Sequence, residues 1–330
     1  MKPLHSIVAA LLLGAGTLAQ AGIIDYDFTT CGASGATGGT QAMCDATYSG
    51  TSLEGMVTVN QGIQSWTVPT TGRYSITAVG AQGFSGQAGY DGGLGALVFG
   101  TFDFSAGTML QLLVGQQGVG TKGTEGGGGG GSFVVNSVNS PLLVAGGGGG
   151  TRTSVSQNGN DASATRYGTS ASGSSPVGGG VEKTTDLGLG GDVSSSSWGS
   201  GGAGFYGDGA DDDPSDQGGT AWLNGMLGGT GTCGAAEGGF GGGGAGGCYG
   251  GGGGGGYSGG DGGRVAGGGG SFFSGMDAYA LAGLGTGDGS ILIELVEDYS
   301  GPVAVSEPAT LLLLGLGLAG LGWQRRKGRG

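Results

Sequence analysis

The densest group of chemistry-bearing side chains in this 330-residue chain is the acidic run Asp208, Asp211, Asp212, Asp213 and Asp216. Carboxylate oxygens at that density suit a hard divalent cation such as Ca2+. The run lacks the sixth-position glycine and twelfth-position glutamate of an EF-hand loop, so a solvated loop tip is preferred to a cation site. His5 is the sole histidine and lies near the N-terminus. The rest of the chain therefore excludes Ser-His-Asp and Cys-His nucleophile systems and His-ligated zinc. Gly118-Val119-Gly120-Thr121-Lys122-Gly123 misses the spacing of a phosphate-binding loop, and no helix follows it. Acidic residues are plentiful, but no pair is singled out for glycoside hydrolysis. Trp66, Trp198 and Trp222 could stack on sugars; Trp66 sits in a strand and reads as core, leaving Trp198 and Trp222 as the exposed candidates. No cofactor is expected, and the chain reads as non-enzymatic.

Cys31, Cys44, Cys233 and Cys248 lack C-x-x-C spacing, so neither a redox motif nor a zinc site is indicated. Two disulfides are the default in an exported chain. Three connectivities are possible, and the local one, Cys31–Cys44 with Cys233–Cys248, is expected.

Between Gly22 and Ala304 six basic residues face 23 acidic ones, a net charge of −17. That balance argues against nucleic acid, whose phosphates require Lys/Arg patches. It suits a solvated surface protein.

The ends carry addresses. Lys2, the apolar run from Ile7 and the small-x-small site Ala19-Gln20-Ala21 read as a signal peptide, residues 1–21, for signal peptidase. Near the other end, Ala309–Trp323 is an apolar helix that would span about 22 Å at 1.5 Å per residue. It is short for a ~30 Å hydrocarbon core, but Trp323 and the following Arg325, Arg326, Lys327 and Arg329 can anchor it in the membrane before processing, with the basic end cytoplasmic. Gly315–Gly320 inside it matches G-x-G-x-x-G, yet no strand precedes it, so the nucleotide reading fails. Glu307-Pro308, the helix and the Arg-rich end together resemble the PEP-CTERM sorting signal of Gram-negative bacteria, with Ser306 in place of the first proline. The resemblance implies that residues 305–330 are processed by an exosortase and that the protein works in the cell envelope, at the surface or in extracellular matrix.

Between these ends, alternating strands bracket a glycine region, residues 115–289. Ile24–Phe28, Met56–Val59, Gly62–Pro69, Arg73–Val79, Ala96–Phe104, Met109–Val114, Phe133–Val135, Pro141–Val144 and Ser290–Val296 read as strands, mostly with one face buried. No convincing helical periodicity appears in the body. Glycine makes up 92 residues, with bare runs at 126–131, 146–150, 241–244, 250–256 and 267–270. Composition alone suggests a flexible linker. A strand returning after the insertion suggests a folded domain instead. Collagen fails for want of Gly-X-Y and proline. Polyglycine II rods, three residues per turn and bonded rod to rod through the backbone, are the packed alternative. Phe240, Tyr249, Tyr257, Phe272 and Phe273 would fasten them to the strands. The Ser/Thr/Asn-rich stretch Thr151–Trp198 reads as a long exposed loop.

The order Gly62-Ile63-Gln64-Ser65-Trp66-Thr67-Val68-Pro69-Thr70-Thr71-Gly72-Arg73-Tyr74, Val114–Gly118, Gly126–Val135, Pro141–Gly150, Gly238–Gly244, Gly250–Gly260 and Gly267–Phe272 resembles the glycine-rich domain of the extracellular ligand-binding region of anaplastic lymphoma kinase and leukocyte tyrosine kinase, and of many bacterial exported proteins. It implies an all-β fold over residues 22–304, a TNF-like jelly-roll sandwich with inserted polyglycine II helices. The kinase itself is absent here. The expected function is a non-enzymatic exported surface or matrix protein, associated with exopolysaccharide or biofilm. The competing expectation is an extracellular glycan- or peptide-binding module.

Overall fold

The computed structural model describes residues 24–300, apart from 87–89, 122–124, 153–156, 172–181, 186, 194–197 and 234–235. The expected signal peptide, the phosphate-loop lysine Lys122, and the sorting segment with its 309–323 helix lie outside the described residues. Among those described, no helix is long and apolar enough to cross a membrane.

Two antiparallel sheets face each other. One has the order β1 (Ile24–Phe28), β11 (Ser290–Asp298), β4 (Gly72–Val79), β5 (Gly95–Phe104) and β10 (Met276–Gly285). The other has the order β2 (Val57–Asn60), β3 (Ile63–Thr67), β6 (Met109–Leu113), β7 (Ser132–Asn136), β8 (Pro141–Ala145) and β9 (Phe272–Phe273). Because side chains alternate across a strand, Tyr74, Ile76 and Ala78 of β4 point to one side. They meet Leu110, Leu112, Val134 and Leu143 from the facing sheet in one buried core. Trp66 sits at its aromatic end, within 4.7 Å of the Tyr26 ring and edge-on to Phe28 and Tyr74.

The second sheet is covered on its other face too. Leu113, Phe133, Val135 and Val144 point away from the sandwich and pack with Phe205, Trp222, Met226, Phe240 and Tyr257. This is why β7 and β8 read as continuous apolar runs instead of alternating ones.

The glycine region is packed. The N–H groups of residues 126 to 131 donate, in order, to Thr151, Val119, Gly244, Gly148, Gln116 and Gly241. Groups three apart reach the same neighbouring segment. The carbonyls repeat the rule: those of Gly126 and Gly129 accept from Gly252 and Gly255, and those of Gly127 and Gly130 from Phe84 and Ala81. This three-residue period with no internal hydrogen bond is the polyglycine II pattern. It needs a bare backbone, since a Cβ at Gly128 or Gly130 would overlap the carbonyl oxygen of Gly253 or Phe240. Ordering glycine costs about 0.5–1 kcal/mol more than ordering alanine. A net ~0.5–1.5 kcal/mol per inter-rod hydrogen bond is of the same size.

Several expectations change. The bundle begins earlier than residue 115, because Ala81–Phe84 and Gly93–Leu94 already bond into it. Gly241 and Gly242 form a left-handed turn, with φ of 102° and 84°, not a rod. Thr151–Trp198 is not simply an exposed loop: Asn160 is buried and its carbonyl accepts from Gly149. A helix is present, α1 (Gln41–Tyr48), capped by Thr40, whose hydroxyl accepts from the Met43 N–H. It is held by the Cys31–Cys44 disulfide and by the Tyr48 hydroxyl, which donates to Gln64 Oε1 at 2.7 Å. β10 is a further strand, on the sheet edge, with two register shifts against β5.

Candidate functional site

Glycines 250 and 251 open the longest bare run and act as a hub. A Cβ at Gly250 would overlap the carbonyl oxygens of Trp198 and Gly263, and one at Gly251 would overlap that of Gly150 and press against that of Thr151. Gly251 also pairs with Gly263 through both backbone bonds, at 2.9 and 3.1 Å. Four segments thus converge at backbone contact distance. Each carries a large side chain on the hub or within one residue of it: Trp198, Tyr249, Arg264 beside Gly263, and Arg152 beside Thr151.

Those four side chains form one cluster. The guanidinium carbons of Arg152 and Arg264 lie 4.8 and 4.5 Å from the Trp198 ring centre, within cation–π range. The Tyr249 ring is 6.0 Å from the same indole, tilted by 53°. Arg264 is exposed, Tyr249 is 56 % exposed, and Trp198 and Arg152 are half-buried. Burial pushes the Arg152 guanidinium below its ordinary value, and the positive charge of Arg264 adds to that, opposed by buried Glu125. Arg152 Nη1 donates to Gln157 Oε1 at 3.3 Å, which fixes its fork. Two of the five described basic residues therefore share one aromatic platform in a body of net charge −17.

The acidic run is distributed through the bundle. Asp208 accepts from the Ala221 N–H and the Asn224 amide, Asp211 from the Gly218 N–H, and Asp213 from Ser215 and the Asp216 N–H. Buried Asp216 accepts from the Thr232 N–H at 2.7 Å. Asp212 accepts from the Gly199 N–H at 3.2 Å, and so steadies the backbone directly after Trp198. Its other oxygen is buried with no partner among the described residues. These carboxylates serve as backbone caps on different segments, as loop aspartates commonly do. Asp216 also lies beside Cys233 and Cys248, but those two sulfurs are joined to each other. Both expected disulfides are formed.

Trp222 departs from expectation. It is 3 % exposed, lies in the second core, and donates its indole N–H to Asn139 Oδ1. Phe240 and Tyr257 do fasten the rods to β7 and β8, and Phe272 packs beside them. Tyr249 belongs to the platform instead. Sequence reasoning missed Arg152 and Arg264, because no local spacing links them to Trp198. A cleft of about 450 Å³, lined by Asn158, Asp161, Ser163 and Glu182 among others, holds two carboxylates. Asp161 Oδ1 already accepts from the Leu94 N–H, and Glu182 Oε1 from Ser163 and Thr165.

Residues 304–327 match the PEP-CTERM protein-sorting motif. They include Glu307, Pro308, Arg325 and Arg326, all beyond the described residues. This signal directs export to the cell envelope or surface and marks a substrate for exosortase processing. Over 97 residues, 28 % of the chain, the sequence is 43 % identical to the leukocyte tyrosine kinase receptor of Mus musculus. The match covers 11 % of the receptor's length. These findings support the two resemblances read from the sequence.

Proposed function

We propose that this is a non-enzymatic protein of the cell surface or extracellular matrix of a Gram-negative bacterium, associated with exopolysaccharide or biofilm. The domain reading is a cleaved signal peptide, a 22–304 body and a membrane-anchoring tail, residues 305–330, that an exosortase removes. The body is read as a TNF-like jelly roll, supported by its two antiparallel sheets. The sorting motif carries the proposal, and the acidic, histidine-free body supports it. The test is deletion of the gene in its host. Loss of matrix cohesion, with the protein recovered from the matrix fraction of the parent strain, is expected. Unchanged cohesion, or turnover of polysaccharide by the purified chain, overturns the proposal.

A second reading, a glycan- or peptide-binding module, is favoured by the Trp198 platform and by the partial likeness to a receptor. Saturable binding of one ligand by the purified chain, with matrix cohesion unaffected by deletion, would select it over the first.

A further inference from the structure

The Trp198 platform brings together two chemistries that meet in few ligands. Guanidinium is a planar fork of N–H donors matched to a carboxylate. An exposed aromatic ring offers a flat apolar face beside a polar edge, which suits the C–H face of a pyranose. Arg264 and Tyr249 are the exposed members, while Arg152 and Trp198 lie behind them, half-buried. The Trp198 ring holds both guanidiniums at 4.8 Å or less from its centre, so two like charges converge on one indole. Buried Glu125 offsets part of that repulsion at Arg152, and an anion placed against exposed Arg264 would offset more of it.

We propose that this platform binds a carboxylated sugar residue of an acidic polysaccharide. Arg264 receives the carboxylate, with Arg152 reinforcing it, and the Tyr249 ring stacks on the sugar. Trp198 positions the guanidiniums, and Asp212 and the bare glycines 250 and 251 position Trp198. The body's charge of −17 does not forbid this, because charges more than about 8 Å apart are largely screened at physiological ionic strength. The inference rests on the reading of the protein as one that contacts polysaccharide.

The test compares tetragalacturonate with its methyl ester, which keeps the rings and loses the charge, by calorimetry on the full chain. Acid-form binding about tenfold tighter than the ester is expected, with that difference removed by Arg264→Gln. Tyr249→Ala should weaken both forms alike. Both positions are exposed, so an unchanged thermal midpoint will show that the variants fold. Equal affinity for acid and ester, or no effect of Arg264→Gln, overturns the site. Tighter binding of tetraglutamate than of tetragalacturonate also overturns it, in favour of an acidic peptide. Binding of extracted matrix polysaccharide that Arg264→Gln leaves unchanged refutes this site alone. Absence of binding to every saccharide refutes the underlying reading as well.

Discussion

The sandwich and the glycine bundle are both buried, yet opposite parts of the residue hold them together. Between the sheets, Trp66, Tyr74, Ile76 and Leu143 exclude water with side chains, and the backbone bonds mainly within each sheet. In the bundle, residues 126–131 contribute no side chain, and the backbone bonds outward, its N–H groups to three neighbouring segments and its carbonyls to others. One region depends on side-chain volume being present, the other on its absence. A methyl group should therefore have opposite effects in the two.

The largest expected effect is in the sandwich. Trp66→Ala empties the centre of an aromatic cluster and should cost about 4 kcal/mol by urea unfolding. Gly130→Ala tests the other side. Alanine restricts the unfolded chain and would stabilise by ~0.4–1 kcal/mol if it fitted. Here its Cβ meets the Phe240 carbonyl oxygen, and overpacking should win, with a net loss of about 3 kcal/mol. Adding one methyl here should thus cost more than removing one by Ile76→Val, at about 1 kcal/mol. If the order reverses, the rods are not packed as described.

The charge that ties outer rods together is intermediate in size. Lys183 lies 2.8 Å from Asp261 and 3.0 Å from Asp192, with its side chain 12 % exposed. Burial pulls its ammonium down, but the hydrogen bonds to Asp261 and Asp192 outweigh that and hold it above the ordinary lysine value. A raised lysine contributes stability fully present below the unfolded value of ~10.4 and lost as pH rises through the folded one. Lys183→Met should cost about 2 kcal/mol at pH 7 by leaving Asp261 without its counter-ion, held only by the Asp192 N–H among the described residues. The deficit should shrink in strongly alkaline buffer, and a deficit independent of pH would show that packing alone is at work. The smallest signal is kinetic: amides of residues 126–131 should exchange with deuterium as slowly as those of β7. Rapid exchange would return the region to a linker.

The strands were legible because their alternation is local. Arg73–Val79 and Ser290–Val296 announce themselves without any partner. β10 was not, because Met276–Gly285 is rich in alanine and glycine and is interrupted by two register shifts. α1 has only eight residues, too few for a helical period to show, and depends on Thr40 and on Cys44. The rods were legible as a possibility, since bare runs permit them, but which run meets which is written only in carbonyl positions. The platform was half legible. Trp198 was visible as an aromatic, while Arg152 and Arg264 stand 46 positions before it and 66 after it. Aspartates 208 to 216 read as a solvated loop tip because their density is visible and their separate backbone partners are not.

The outward bonding of the rods also bears on how stability varies with temperature. Unfolding a core of leucine and phenylalanine exposes apolar surface and raises the heat capacity, whereas exposing peptide groups lowers it. A chain with 92 glycines buries peptide where other domains bury hydrocarbon. Its heat-capacity increment per residue should fall below the ~12–15 cal/mol/K of ordinary globular proteins, and its stability curve should be correspondingly flat. The protein's stability would then change little between cold and warm conditions.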